Sequence, residues 1–132
     1  MIYREILKVK TQKGISRVDL TKEIKNIITN CKIREGICNL FLQATTAGFV
    51  LNENDLLLNQ DYKRFFSAVE DDKMYQRLSD AHCHLRSLWT KQDLTLPISM
   101  GKLVLEDKQS IMLWEFDTKE QERKIIITII GE

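Results

Sequence analysis

The sequence is poor in the residues that mark many specialised proteins. It contains one proline, two histidines and three cysteines among 132 residues, and its formal net charge is only +1. This balance gives no electrostatic footprint for nucleic acid or acidic membranes, so neither is expected as a partner. No apolar run approaches the roughly 20 residues that span a bilayer. A charge pair, Arg4 and Glu5, also stands where a signal peptide would be apolar.

The cysteines exclude further classes of protein. Cys31, Cys38 and Cys83 are odd in number and contain no Cys-x-x-Cys spacing. This favours reduced thiols in the cytoplasm over a disulfide framework or a zinc knuckle. Hydrophobic residues make up 43% of the chain and charged residues 30%, which is typical of a globular protein. We therefore predict one cytoplasmic domain spanning residues 1–132.

Hydrophobic periodicity predicts strands at both ends of the chain with helices between them, which is the order of an α+β domain. Thr21 resembles an N-cap at the start of the first helix. The last strand is apolar on both faces, so we expect it inside a sheet or in a subunit interface, after a solvated loop at 119–124. The predicted strands cover residues 2–10, 15–18, 37–42, 49–52, 94–98, 102–105, 111–116 and 124–130, and the predicted helices cover 21–31, 59–70 and 79–89.

Both histidines lie within the stretch Asp80-Ala81-His82-Cys83-His84, so any imidazole chemistry belongs here. In a strand, Asp80, His82 and His84 would share one face and could begin a metal site. In a helix, Asp80 and His84 lie at i and i+4, while His82 projects almost oppositely. The Ser79-Asp80 start signal favours the helix, which weakens a metal site shared by both rings. His82 is then either a site residue or a hydrogen-bonded buried ring, and Cys83 is expected to be a buried thiol.

Several other polar residues are candidates for binding an anion. The Thr45-Thr46 turn offers hydroxyls and backbone N–H groups that could cradle a phosphate, although the same residues also suit a tight β-turn. Arg86 and Ser87 could add a charged clamp and a hydroxyl from the 79–89 helix. Asn52 and Glu53 interrupt an apolar strand, so they line a pocket or mark the exposed end of the strand.

Three ordered motifs resemble the YjbQ-like family, whose members are often described as secondary thiamine-phosphate synthases. The motifs are Gly36-Ile37-Cys38-Asn39-Leu40-Phe41-Leu42-Gln43-Ala44-Thr45-Thr46-Ala47-Gly48 with Asn52-Glu53-Asn54, then Asp80-Ala81-His82 through Leu88, and finally Leu94-Thr95-Leu96-Pro97-Ile98, Gly101-Lys102-Leu103, Glu115-Phe116-Asp117 and Gly131-Glu132. The resemblance implies a two-sheet β-sandwich of seven or eight strands with two or three flanking helices. It also implies a homotrimer around a threefold axis.

Departures from the family pattern concern the site itself. Ala44 stands where the family usually has histidine, and Lys108 stands where tryptophan is common. The loop before Asp80, residues 75–79, is short and lacks the family's His and Gly-Asn elements. The resemblance therefore leaves open whether the chain turns a ligand over or only binds it.

Two functions follow from these residues. The first is a weak thiamine-phosphate-synthase-like transferase, which joins a pyrimidine diphosphate to a thiazole phosphate. The catalytic candidates are His82, Glu53 and Asp80, with His82 facing the Thr45-Thr46 turn and Glu53, as the resemblance implies. The ligand-binding candidates are Thr45, Thr46, Asn52, Arg86 and Ser87, and the metal candidates are His82, His84 and Asp80.

The alternative function is a catalytically silent trimeric protein that binds a metal ion or an anion. Ala44 favours it, because the loss of a histidine leaves fewer polar groups at the site. The chain also lacks an Asp-Asp-x-x-Asp-like cluster that would anchor a diphosphate with Mg²⁺. The identity of the cofactor is therefore open, since either Mg²⁺ or Zn²⁺ would suit the candidate metal-binding side chains. The expected bound compound is a small phosphorylated molecule.

Overall fold

The computed structural model describes residues 1–71 and 74–132, and these form eight strands and three helices. The first helix has the bounds that the sequence predicts, and five strands begin and end within one residue of their predicted bounds. The elements are β1 (Ile2–Thr11), β2 (Ser16–Asp19), α1 (Thr21–Cys31), β3 (Gly36–Leu42), β4 (Ala47–Asn52), α2 (Leu56–Ser67), α3 (Ala81–Ser87), β5 (Asp93–Ser99), β6 (Lys102–Leu103), β7 (Ser110–Glu115) and β8 (Gln121–Gly131).

The strands build two antiparallel sheets. One has the order β1-β8-β3-β5-β6 and the other has the order β2-β7-β4. The expected α+β sandwich with eight strands and three helices is thus confirmed for the described residues. The final strand, β8, lies between β1 and β3 as its apolar faces predict, with Ile127 opposite both Glu5 and Leu40. No helix in the described part of the chain is long and apolar enough to cross a membrane.

The main core lies between the two sheets and includes the apolar face of α1. Along β8, the alternation places Ile125, Ile127 and Ile129 inside with no exposed surface. From α1, Ile24 and Ile28 join the same cluster. This packing explains why a strand with period 2 and a helix with period 3.6 both show clear apolar patterns in the sequence.

A second core covers the opposite face of the three-stranded sheet. Met112, Trp114 and Phe116 alternate along β7 and its end, and they pack under α2 and α3. The rings of Phe66 and Phe116 meet edge to face with centroids 4.7 Å apart. This aromatic layer fixes α3 against the sheet, and Cys83 on α3 is fully buried in it.

The outer face of the five-stranded sheet has no helix over it in the described structure. Its residues form apolar rows across neighbouring strands, because the antiparallel register aligns them. One row contains Ile2, Ile130 and Ile37, and another contains Ile6, Ile126 and Phe41. A polar row of Arg4, Thr128 and Asn39 lies between them. Phe41 is 45% exposed and Ile6 is 56% exposed. We refer to these six residues as the outer apolar face.

The start of α2 and the residue that caps α1 differ from the sequence prediction for local reasons. The helix α2 begins at Leu56 and not at residue 59, because the Asp55 carboxylate caps it by accepting the Leu58 N–H at 3.0 Å. The cap of α1 is Leu20, and Thr21 is the first helical residue. The Thr21 hydroxyl accepts the Ile111 N–H at 2.8 Å, so it joins the helix to β7.

Candidate functional site

The short helix α3 separates two clefts, each of about 500 Å³, and places one histidine in each. His84 lines the cleft beside the Thr45-Thr46 turn, which we name the His84 cleft. His82 lines the other, which we name the His82 cleft. The resemblance implies that His82 faces the Thr45-Thr46 turn, but His84 occupies that position. The reason is the helical geometry of α3, which turns residues two positions apart to different sides.

A carboxylate links two basic groups at the rim of the His84 cleft. Asp80 accepts from Arg77 in a bidentate pair, with distances of 2.7 Å and 3.1 Å, and it lies 3.3 Å from Nε2 of His84. Desolvation acts to raise the pKa of Asp80, but the hydrogen bonds and charges of Arg77 and His84 outweigh it, so this pKa lies below its ordinary value. An ionised carboxylate only accepts hydrogen bonds, so His84 directs an Nε2–H towards Asp80, and Nδ1 is the ring nitrogen that Asp80 does not use.

The floor of the His84 cleft is a buried ion pair. Glu115 has no exposed surface and accepts from Nε of Arg123 at 2.7 Å, and Arg123 Nη2 binds its other oxygen. The Thr11 hydroxyl and two backbone N–H groups, from Phe116 and Asp117, also donate to this carboxylate. The negative charge of Glu115 is therefore neutralised by Arg123, and both of its oxygens accept hydrogen bonds, as burial of a carboxylate requires.

The floor orients the second threonine of the turn. Arg123 Nη2 donates to Oγ1 of Thr46 at 2.7 Å, and Thr46 donates in turn to Asp117 at 3.1 Å. Thr46 is buried, whereas Thr45 is exposed to the cleft. Thr46 is consequently held in place by the protein, and the Thr45 hydroxyl is the one open to a ligand.

Arg86 and Ser87, both expected to bind an anion, make contacts within the protein. Arg86 donates to the carbonyl oxygens of Phe66 and Val69 at 3.0 Å and 2.7 Å, and to Asp71 at 2.8 Å. It therefore caps the carboxyl end of α2. The Ser87 hydroxyl lies 2.9 Å from the Thr45 carbonyl oxygen, so it ties α3 to the turn.

Asn52 and Glu53 lie away from the other candidates. Asn52 ends β4 and Glu53 follows it, at the end opposite the Thr45-Thr46 turn, and the six residues of the strand separate the two ends by about 17 Å. There they line a groove of about 350 Å³ with Lys108. The structure thus gathers Thr45, Thr46, Asp80 and His84 in one cleft and does not bring Asn52 and Glu53 to it.

Sequence reasoning missed Arg123 and Glu115. The stretch 119–124 was expected to be a solvated loop, but β8 already begins at Gln121 and Arg123 is 8% exposed. The alternation that buries Ile125 extends back to Arg123, so the two-residue period was the available signal. Glu115 lies opposite Ala47 and Ser16 in the three-stranded sheet, which places its side chain at the turn.

The arrangement does not fit a resident metal ion. In residues 1–71 and 74–132, no group of three His, Cys, Asp or Glu side chains is close enough to hold one. His82 and His84 face different clefts, and both oxygens of Asp80 already bind Arg77 or His84. Burial raises the pKa of the Cys83 thiol, and the Asp117 carboxylate adds to this, so Cys83 is a poor ligand and a poor nucleophile.

The fold and the cleft define the chain as an α+β sandwich with a polar, open cleft beside α3. Comparison with known proteins gives the family. The model of the family described as "UPF0047 protein YjbQ-like" matches residues 5–132, and the chain belongs to this family. The resemblance seen in the sequence is thereby confirmed.

Relatives cover nearly the whole chain. A UPF0047 protein of Synechocystis is 31% identical over 137 residues, which cover 98% of this chain and 92% of the relative. The UPF0047 protein YjbQ of Escherichia coli O157:H7 is 32% identical over 120 residues, covering 86% and 87%. The crystal structure of a YbjQ-like protein of unknown function from Sulfolobus solfataricus P2 matches with a TM-score of 0.93 at 31% identity, covering 100% of this chain and 99% of that one.

Proposed function

We propose that the protein binds a small phosphorylated ligand in the His84 cleft. The observation that carries this proposal is the convergence of the Thr45 hydroxyl, the Arg77 guanidinium and the His84 ring on one open cleft. Hydroxyls, guanidinium groups and imidazole rings are donors that suit phosphate oxygens. A volume of about 500 Å³ accommodates a small organic phosphate.

The two arginines of this cleft have different roles in the proposal. The charge of Arg123 is neutralised by Glu115, so Arg123 positions Thr46 and does not meet the ligand. Arg77 is 67% exposed in its side chain, and its pair with Asp80 is a surface ion pair. Such pairs contribute roughly 1 kcal/mol or less, so a phosphate can compete for the guanidinium. Arg77 is therefore the proposed phosphate clamp.

The candidate reaction is the transfer that the family resemblance implies. A pyrimidine diphosphate loses diphosphate as its C–O bond breaks, and the ring nitrogen of a thiazole phosphate forms the new C–N bond. The Asp80–His84 pair supports it, because a carboxylate-oriented imidazole can deliver a proton to a leaving diphosphate. In this version of the site His84 takes the acid–base role that the sequence assigned to His82. Glu53 can take part only from another subunit, since its own position lies at the far end of β4.

Binding without turnover is the second candidate. The apolar Ala44 lines the cleft among polar neighbours, so the site has one polar group fewer than the family pattern. A site without a three-ligand metal group in the described residues also lacks a built-in partner for a diphosphate. Binding of a phosphate ester with no release of diphosphate would favour this second candidate.

We also propose that the protein is a homotrimer, as the resemblance implies. Its support in the structure is the outer apolar face, where exposed side chains form continuous rows. Exposed apolar patches of this kind commonly mark contacts between proteins.

The test is calorimetric titration with inorganic phosphate, the thiazole phosphate and the pyrimidine diphosphate. We expect saturable binding that Arg77→Gln weakens about tenfold, because charge-assisted hydrogen bonds contribute roughly 1.5–3 kcal/mol. Arg64→Gln, which removes an exposed arginine of α2, is the matched control and should leave binding unchanged. His84→Gln should also weaken binding, whereas His82→Ala should not. Equal binding by wild type and Arg77→Gln would overturn the proposal, and diphosphate release measured in parallel separates transfer from binding.

A further inference from the structure

The His84 cleft has walls of two different chemistries. The wall formed by α3 and the residues before it carries the charged groups that are proposed to hold phosphate. The other wall comes from the ends of three strands. It consists of Gln43 after β3, Asp117 beyond β7 and Gln121 at the start of β8, and we name these residues the strand wall. Phosphate binding makes no use of them.

The two glutamine side chains of the strand wall are open to a ligand. Gln43 is exposed and Gln121 is partly exposed, and within the described part of the chain no hydrogen bond involves either side-chain amide. Their backbones are engaged in the sheet. The Gln43 N–H donates to the Lys124 carbonyl oxygen at 3.2 Å, and the Gln121 carbonyl oxygen accepts from the Thr11 hydroxyl at 3.3 Å. A side-chain amide offers two donors and an acceptor, so it can both donate to a hydroxyl group and accept from one.

The carboxylate of Asp117 is oriented by the protein and keeps acceptor capacity. Its Oδ2 accepts from the Thr46 hydroxyl at 3.1 Å, and its Oδ1 accepts from the Lys119 N–H at 3.1 Å. Each oxygen of a carboxylate has about two lone-pair sites, so one site on each oxygen remains after these contacts. A hydroxyl group of a ligand suits such an oxygen as a donor, whereas a second phosphate group would be repelled by its charge.

The cleft offers very little apolar surface to the body of a ligand. Among the described residues that line it there is no Phe, Tyr, Trp, Leu, Ile or Val, and the apolar Ala44 is itself partly buried against the main core. The nearby rings of Phe66 and Phe116 are buried in the second core. Pockets that hold flat organic rings are lined mainly by apolar and aromatic side chains. A heteroaromatic ring would therefore gain little from this cleft beyond the contacts of its phosphate.

We propose that the ligand of the His84 cleft is a phosphate monoester of a polyhydroxylated compound, the class of sugar and polyol phosphates. The phosphate binds Arg77 and Thr45. The hydroxyl groups donate to Asp117 and exchange hydrogen bonds with the amides of Gln43 and Gln121. This ligand class rests on the phosphate binding proposed above. It favours binding without turnover, because both substrates of the transfer carry flat heteroaromatic rings.

Three phosphate monoesters separate the effect of the strand wall from that of the phosphate. Glycerol 3-phosphate carries two hydroxyl groups that propyl phosphate lacks, and phenyl phosphate supplies a flat ring. In calorimetric titration of the full chain, glycerol 3-phosphate should bind roughly tenfold more tightly than propyl phosphate, as two neutral hydrogen bonds allow. Phenyl phosphate should bind no more tightly than propyl phosphate.

Variants of the strand wall assign this preference to its side chains. Gln121→Leu and Gln43→Leu should each weaken binding of glycerol 3-phosphate roughly fivefold, as loss of a neutral hydrogen bond does, and should not weaken binding of propyl phosphate. Gln60→Leu, which changes an exposed glutamine on α2, is the matched control and should leave both unchanged. Arg77→Gln should weaken both compounds equally, because both carry the phosphate.

The outcomes distinguish this proposal from the phosphate site on which it rests. Equal binding of glycerol 3-phosphate and propyl phosphate would overturn the ligand class, and so would tighter binding of phenyl phosphate. A preference for glycerol 3-phosphate that both glutamine variants leave intact would also overturn it. In each of these cases weaker binding by Arg77→Gln would still support the phosphate site. The absence of binding by every compound would overturn both proposals.

Discussion

Burial sets the acid–base behaviour of the Cys38 thiol. The side chain lies on the inner face of β3 with no exposed surface, and desolvation raises its pKa from 9.0 to about 12, with a smaller effect from nearby Cys31. Between these values the unfolded chain loses the proton and the folded protein keeps it. The contribution of this thiol to stability is therefore complete below pH 9.0 and is lost as the pH rises towards 12.

This shift predicts a measurable difference in alkaline solution. Cys38→Ala should be less stable than the wild type near pH 8, because it leaves a cavity in the core. Its stability should fall less steeply between pH 9 and 11, by up to about 1.4 kcal/mol per pH unit for one proton. Urea unfolding of both proteins at three pH values measures the two slopes. Parallel slopes would contradict the pKa shift.

Some residue-level features of the site were available in the sequence, and others were not. The spacing of Asp80 and His84 predicts their contact in a helix, and the structure places them 3.3 Å apart. Which histidine faces Thr45 depends on how α3 rotates on the sheet beneath it. That rotation is set by the packing of Cys83 against the aromatic layer. The hydrophobic pattern of a seven-residue helix is too short to predict it.

The pair of Arg123 and Glu115 connects elements of different sheets. Arg123 belongs to β8 and Glu115 to β7, so their contact spans the sandwich at the end where the candidate site lies. Removing only the arginine leaves a buried carboxylate without a counter-charge, which typically costs about 3–5 kcal/mol. We expect Arg123→Met to lower the free energy of unfolding by this amount.

Two further variants test the assignment by urea denaturation. Glu115→Gln added to Arg123→Met should restore part of the loss, because the amide is neutral and its oxygen still accepts the backbone N–H groups. Lys124→Met, which changes the exposed neighbour on β8, should shift stability by about 0.5 kcal/mol or less. Similar losses for Arg123→Met and Lys124→Met would refute the buried pair.

The sequence predicts the central residues of helices and strands better than it predicts the residues at which they begin and end. The helix α1 has a clear apolar period, and its bounds follow from it. The start of α2 depends on a single carboxylate cap at Asp55, before any apolar repeat appears. The sequence prediction starts β8 too late, because three consecutive charged residues at 122–124 hide the alternation. Arg123 shows the physical reason. It is a charged residue, so the sequence alone predicts that it faces solvent, whereas in the structure it is buried against Glu115.

Self-association belongs to the whole molecule and has a direct test. If three copies meet through the outer apolar face, light scattering should give a mass three times 15.5 kDa. Phe41→Lys places a charge on that face and should shift the protein to monomers without unfolding it, since the side chain is 45% exposed. Leu57→Lys is the control, because Leu57 is an exposed apolar residue on α2, away from that face. A wild-type monomer, or a trimer that survives Phe41→Lys, would contradict the proposal.

The global arrangement came from the resemblance and not from periodicity. Alternation shows that β8 has two apolar faces, and this places it inside a sheet. It does not show that β1 and β3 are its neighbours, because strand order depends on contacts between distant parts of the chain. The same limit explains why Thr45 and Arg123, far apart in sequence, could not be assigned to one cleft beforehand.

The central position of β8 has a consequence for how the protein is made. This strand is the last in the chain, yet it joins β1 to β3, with Ile2 opposite Ile130 and Ile37. A ribosome that synthesises the chain in order delivers β1 and β3 long before the strand that connects them. We therefore expect the five-stranded sheet to close only after translation has passed residue 131, and the nascent chain to carry open strand edges until then.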